Sequence, residues 1–259
     1  MVQNGLANFW KNYRHRFVPW IAANIKASGP GRREVTASTD KIVSDQKLIH
    51  VISSSVSTFH QALQESASVK GETVMRKALG YSIKRAKSGL KGAGTGVVMS
   101  AGCAVRGDFI AFYPGTLYRR FEPLFLPSIG NCFILRCMDG VHIDGNDRLL
   151  SKSIYRSCVN RDSFGRYRAA DISWTTKELT VPWNVGQYVN NGTTEFPANV
   201  AYQELDVLNF PPELDYLLPN IWYSGSRGRH LRMVALVAIR KIREGDEILS
   251  NYVTLVKEN

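Results

Sequence analysis

From Gly96 onward the chain breaks into short runs of β-branched and aromatic residues separated by turn residues, and this texture constrains the fold more than any other feature. Strands are expected at "GVVMSA", "DFIAFYPGTLY", "FILRCMDGVHID", "NVAYQELDV" and "LRMVALVAIRKI". Arg106-Gly107-Asp108, Asp139-Gly140 and Glu244-Gly245-Asp246 punctuate them. Their uneven lengths lack the strand–helix–strand repeat of a parallel sheet and suit a compact β-rich domain. The first third differs. Ile49, Ile52, Val56, Phe59 and Leu63 keep a period of about 3.6 residues, and Val74, Met75, Ala78 and Leu79 suggest a second helix. "PPELDYLLPN" predicts a short helix with Pro212 near its first turn, and an irregular polar insert is expected at about 147–183.

The first 33 residues contain no Asp or Glu. Leu6, Phe9, Trp10, Tyr13, Phe17, Trp20 and Ile21 recur there at helical spacing, with Pro19 as a kink. Two readings stand: a helix docking its aromatic stripe on the core, or a basic, acid-poor mitochondrial presequence. The formal charge of +11 favours acidic partners, nucleic acid among them, although no basic stripe with interleaved aromatics marks a nucleic-acid motif. No apolar run reaches the roughly 20 residues of a membrane helix. Cys103, Cys132, Cys137 and Cys158 form no CxxC pair and have no nearby His to complete a zinc set, so no metal site is expected. Reduced, mostly buried thiols, Cys132 and Cys137 among them, point to the cell interior: nucleus or cytoplasm, with the mitochondrion left open by the N-terminus. His142, His230, Trp174, Trp183 and Trp222 read as structural.

"KGAGTGVVMS" places Gly92, Gly94 and Gly96 at alternate positions, a run that can cradle a nucleotide-like ligand. A Rossmann turn needs a buried strand before the glycines and a helix after them. Here "SIKRAKSGLK" is too polar for the first, and "VVMSAGCAVRGDFIAFY" is β-type. A P-loop fails too, because no Gly-Lys-Ser/Thr closes the run.

Three later segments give the turn company. Ile143-Asp144-Gly145-Asn146, Asn190-Asn191 followed by Pro197-Ala198-Asn199, and Glu247-Ile248 followed by Asn251-Tyr252 stand in that order after Gly94-Thr95-Gly96. In this order the chain resembles the SET domain of protein lysine methyltransferases. "YRHRFVPWIAANI", "FYPGTLY", "DGVHIDGND", "YRSC", "VGQYVNN" and "SNY" resemble the SET domain-containing protein 9 subfamily, over nearly the whole chain.

The resemblance implies an α+β, mainly β architecture: the SET (β-clip) fold of short twisted sheets with a pseudoknot-like C-terminus, preceded by an N-terminal helical region. It implies a helical region at 1–88, packing on or leading into a SET domain at 89–256 that carries the insert. The implied donor is S-adenosylmethionine, held by Gly94, Thr95, Gly96, Asn190, the backbone of Asn191, and Tyr252. Tyr252 falls at the family's active-site tyrosine, and Tyr113 matches a tyrosine lining the lysine channel. Glycine lets backbone polar groups approach such a ligand without a Cβ between, and the Asn190 carboxamide both donates and accepts. The implied activity is methyl transfer to a lysine of a protein substrate. A non-catalytic SET-fold module that binds a protein partner is the alternative, and a basic nucleic-acid-associated protein a further one. The sequence departs from the family where Asn191 replaces the usual His and Ala198 separates Pro197 from Asn199. The seven residues after Tyr252 also carry no cysteine-rich segment to close the channel.

Overall fold

The computed structural model describes residues 13–15, 32–66, 68–225 and 230–257. The two expected helices form as Asp45–Glu65 and Gly71–Leu79. Ser44 starts the first by accepting a hydrogen bond from the Lys47 N–H, and Asp45 sets a negative charge at the positive end of the helix dipole. Leu48, Ile52, Val56 and Phe59, at helical spacing, are its buried apolar residues. The second helix ends where Gly80 takes a left-handed φ of 85° and its N–H caps the Arg76 carbonyl. Both helices share one apolar cluster with the strands, and Phe59 meets the Trp183 ring edge-on at 5.1 Å. Burying a side chain of that size stabilises by roughly 1.5–3 kcal/mol.

Val200–Leu208 pairs antiparallel with His230–Ala238, from Val200 opposite Ala238 to Leu208 opposite His230. Phe109–Phe112 completes this three-stranded sheet. Met233 through Ala238 are all buried, as expected of a central strand covered on both faces. A second sheet runs Asn220–Trp222, Gly115–Tyr118, His142–Asp144, Ile134–Arg136, Tyr13–His15, Val253–Lys257, Arg32–Thr36. The run "DFIAFYPGTLY" therefore serves two sheets, broken at Pro114, which lacks an N–H to donate. Gly115 turns that corner at φ 143°, where a Cβ would sit 2.2 Å from the Asp144 carbonyl oxygen. The architecture is α+β and mainly β.

Three expectations fail. Tyr13–His15 is a strand, not part of a helix: its backbone pairs with Val253–Leu255 and with Arg136. Tertiary pairing outweighs the helical spacing there, and the rest of that expected helix lies outside the described residues. The insert is not irregular throughout but carries the helix Leu149–Asp162. Its buried side is Ser151, Tyr155, Cys158 and Val159, too weakly apolar to announce a helix. Tyr155, Cys158 and Val159 pack with Ala170, Trp174 and Ile221 into a small core of their own. Finally, Cys132 and Cys103 are exposed, whereas Cys137 and Cys158 are buried.

Cys137, Asp139 and Glu204 each bring a potential ligand atom within 4.8 Å of the others. Arg232 lies 2.8 Å from Asp139 and 3.2 Å from Glu204, so a guanidinium answers those carboxylates. No helix among the described residues is long and apolar enough to cross a membrane.

Candidate functional site

The glycine run closes an antiparallel hairpin between Ser82–Lys87 and Thr95–Ala101. The Ser88 N–H bonds the Gly94 carbonyl at 2.8 Å across the turn. The three glycines do different work. Gly92 and Gly94 take φ of 79° and 70°, a left-handed backbone that disfavours any Cβ. Gly96 has ordinary backbone, but a Cβ there would lie 2.4 Å from Glu247 Oε1 and 3.3 Å from Asn190 Nδ2. The turn is thus an open bend at Gly94, where a Cβ would meet nothing within 4 Å, followed by a close approach at Gly96.

Glu247, about 150 residues downstream, reaches into this approach. Its carboxylate accepts from Ser88 Oγ at 2.7 Å, from the Gly89 N–H at 2.9 Å and from Asn190 Nδ2 at 3.2 Å. Asn190 Nδ2 also donates to the Thr95 carbonyl at 3.1 Å. The neighbouring carboxamide turns to the other partner: Asn191 Oδ1 accepts from the Tyr252 N–H at 2.9 Å. Asn190 and Asn191 pair in parallel with Leu249 and Ser250, which lays the C-terminal segment along them. Asn199 pins the same segment, donating from Nδ2 to the Glu247 carbonyl at 2.8 Å and accepting the Leu249 N–H at 2.9 Å. The loop before Asn199 folds tightly upon itself, the Gly192 Cβ position lying 2.6 Å from the Ala198 nitrogen.

Gly94, Thr95, Gly96, Asn190, Asn191 and Tyr252 therefore stand together, with Tyr252 half-buried. Tyr113 stands apart from them. It is fully buried, and its hydroxyl donates to the Phe133 carbonyl at 2.7 Å. Gly145 of the "IDGN" element passes so close that a Cβ would lie 2.9 Å from the Tyr113 ring. Tyr113 connects to the rest through Tyr202, whose ring is 6.2 Å away edge-on and whose hydroxyl accepts from Ser250 Oγ at 2.9 Å.

Sequence reasoning missed Tyr188, Tyr202, Ser88 and the bonds of Glu247. Tyr188 precedes Asn190 by two residues, and that spacing was the signal; Ser88 offered none. The Tyr188 hydroxyl donates to Asp147 at 2.6 Å, and the Arg85 guanidinium lies 5.8 Å from its ring centroid. Burial, with Asp147 adding to it, pushes the phenol up to about 12, so it stays protonated. His142 is half-buried, and burial followed by the Arg136 charge lowers its imidazole to about 4. His230 Nε2 lies 2.8 Å from Asp206.

A cleft of about 540 Å³ opens beside the turn, lined by Thr95, Tyr188, Asp147, Arg85, Arg148 and Lys152 among others. A wider one, about 880 Å³, includes Lys87, Pro197, Asn199, Arg240, Arg243 and Glu247 in its lining. The amino-acid end of S-adenosylmethionine carries an ammonium and a carboxylate. Thr95 O and Asn190 Oδ1, which accepts no hydrogen bond among the described residues, suit the ammonium. Arg85, whose Nη2 donates to the Thr176 and Lys177 carbonyls, and Arg148, 3.7 Å from Asp147, bring positive charge for the carboxylate to the cleft that Thr95 lines. The residues present fit this donor.

The chain is 40% identical to SET domain-containing protein 9 of Homo sapiens, covering 97% of both sequences. It is 46% identical to SET domain-containing protein 9 of Pongo abelii, over 82% of this chain and 78% of that one. A solved structure, a humanized mutant of the Chaetomium thermophilum Polycomb Repressive Complex 2 bound to an inhibitor, matches with a TM-score of 0.36 at 16% identity. That match covers 75% of this chain and 18% of that chain. No protein-family model matches the chain.

Proposed function

The chain belongs to the SET domain-containing protein 9 family, and from that membership we propose that it is an S-adenosylmethionine-dependent methyltransferase acting on a lysine side chain of a protein substrate. One observation carries the reading: adjacent asparagines join the glycine turn to Tyr252. Asn190 bonds Thr95 and Asn191 bonds Tyr252, so a donor-binding element and a candidate catalytic tyrosine are fixed relative to each other.

The donor would supply an electrophilic methyl group, held by Thr95, Asn190 and the cations of the smaller cleft. The chain's own contribution is alignment, since an in-line displacement gains most from fixed geometry. A lysine amine, with a pKa of about 10.4 in water, must shed its proton before it can attack. Tyr252 would orient that amine through its hydroxyl, with its backbone held by Asn191 so that the ring enters from a fixed point. Tyr113, bonded to the Phe133 carbonyl, would serve as a rigid wall rather than a proton carrier. On this reading the activity belongs inside the cell, in nucleus or cytoplasm, or in the mitochondrion if the basic N-terminus acts as an address.

A second reading, a SET-fold module that binds a protein partner without turnover, draws on exposed apolar side chains. Phe121, Phe125, Leu126 and Ile129 are 91%, 76%, 66% and 64% exposed within one stretch of chain. Incubation with labelled donor and cell extract separates the two. The wild type should transfer label to protein, and Tyr252→Phe should lose most of it while still binding donor. Binding without transfer supports the module; neither binding nor transfer refutes the enzyme.

A further inference from the structure

We propose that Glu247 is a positioning residue for the donor site, fixing the Asn190 carboxamide so that its oxygen is kept for the ligand's ammonium. The proposal rests on the methyltransferase reading above. An asparagine carboxamide can adopt two orientations related by a half-turn, and its neighbours decide between them. Asn190 faces two oxygens, Thr95 O at 3.1 Å and Glu247 Oε1 at 3.2 Å, and neither can donate once Glu247 is ionised. Only the NH2 group can satisfy both. The reverse orientation would press Oδ1 against a carbonyl and a carboxylate. Thr95 alone would bias the choice by one neutral hydrogen bond, whereas the carboxylate adds a charge-assisted one of roughly twice that strength.

Glu247 is itself held in place. Ser88 Oγ donates to Oε1 at 2.7 Å, and the Gly89 N–H donates to Oε2 at 2.9 Å. Ser88 is buried and also accepts the Leu90 N–H at 3.1 Å, so the hydroxyl is tied into the turn. Asn199 anchors the backbone behind it by donating to the Glu247 carbonyl. The absence of a side chain at Gly96 leaves the carboxylate its space. The result is a bridge from the turn through Glu247 to Asn190, which leaves Oδ1 with no donor among the described residues.

The test compares two ligands by calorimetry on the full chain. S-adenosylmethionine has the amino-acid end; methylthioadenosine lacks it. Glu247→Ala should weaken S-adenosylmethionine about tenfold, the loss expected for one oriented hydrogen bond to a charged group, and methylthioadenosine by less than about twofold. Asn190→Ala should show the same ligand pattern, and the double variant should bind no worse than Asn190→Ala alone. Equal losses for both ligands, or additive losses in the double variant, would overturn the proposal in favour of a purely structural Glu247. If Glu247→Ala shows no cooperative melting transition, Glu247→Gln decides. Glutamine retains one acceptor but sets an NH2 against a donor, so it should give a smaller loss confined to S-adenosylmethionine; no loss, or a loss shared by both ligands, overturns the proposal. A wild type that binds neither ligand refutes the methyltransferase reading itself, and this proposal with it.

Discussion

Replacing Gly96 by alanine tests how the glycine turn is built. The added methyl carbon would lie 2.4 Å from Glu247 Oε1 and 3.1 Å from its Cδ, so the carboxylate must move. Gly96 is absent from the positive-φ residues, which removes backbone strain from the cost. What is lost is the set of hydrogen bonds from Ser88, Gly89 and Asn190. A hydrogen bond to a charged group contributes roughly 1.5–3 kcal/mol. Glu247 is only half-buried and water can return to it, so the net loss for the set is about 2 kcal/mol. For a domain of this size that lowers Tm by roughly 4–8 °C, read by a thermal melt. Gly94→Ala supplies the contrast: at φ 70° with nothing within 4 Å, it costs only the left-handed penalty of about 1–2 kcal/mol and leaves Glu247 in place. In a Glu247→Ala background most of the effect of Gly96→Ala should disappear, because the obstructing carboxylate is gone and only the 3.3 Å approach to Asn190 Nδ2 remains. A Gly96→Ala variant that melts like the wild type, or one whose penalty persists in full in that background, would refute the reasoning.

Two further outcomes are expected. Asn191→Ala removes the acceptor of the Tyr252 N–H and should lower methyl transfer about tenfold, one misplaced hydrogen bond's worth, with donor affinity nearly unchanged; equal losses in both would show that Asn191 serves the donor instead. His142 is lowered to about 4 by burial, against about 6.5 when unfolded, so the unfolded chain takes up a proton first as pH falls. Stability should therefore be lost between about pH 6.5 and 4, by up to about 3 kcal/mol, and denaturant melts of His142→Gln should flatten that slope. Asp171, fully buried and raised to about 6, acts with the opposite sign, losing its contribution as pH rises through about 6. The His142 slope is accordingly read as a difference between variant and wild type.

The strands were legible because Val, Ile and Phe runs broken by Gly and Asp pairs have few other uses, and the paired Val200–Leu208 and His230–Ala238 follow them closely. The helix Leu149–Asp162 was not, because serine and cysteine fill inward positions where periodicity looks for leucine. Leu149, meanwhile, is 87% exposed and misdirects the pattern. The site was legible as an ordered set of motifs but not as a network. Nothing in "SGLKGAGTG" tells that Ser88 will donate to a glutamate about 160 residues away, since such bonds depend on tertiary approach. The buried hydroxyl contact of Tyr113 was hidden for the same reason: sequence gives a residue's type and neighbours, not the carbonyl its side chain finds.

Tyr252 sits where two kinds of pairing meet, and this explains the use of strands drawn from the far N-terminus. On its N-terminal side, Leu249 and Ser250 run parallel to Asn190 and Asn191. On its C-terminal side, Val253–Lys257 is flanked by Tyr13–His15 in antiparallel register and by Arg32–Thr36 in parallel register. Either pairing alone would leave the tyrosine at the end of a frayable strand. Thr254, Leu255 and Val256 are buried within the second sheet, so opening that end exposes apolar surface as well as unpaired backbone. The N-terminal strands thus stabilise a short segment, 253–257, that has few residues with which to stabilise itself. A catalytic side chain must be held within about 0.5 Å of its working position, and rigid elements on both sides achieve that better than a loop. The Tyr252 side chain is half-buried in this arrangement, and its backbone N–H is held by Asn191 Oδ1.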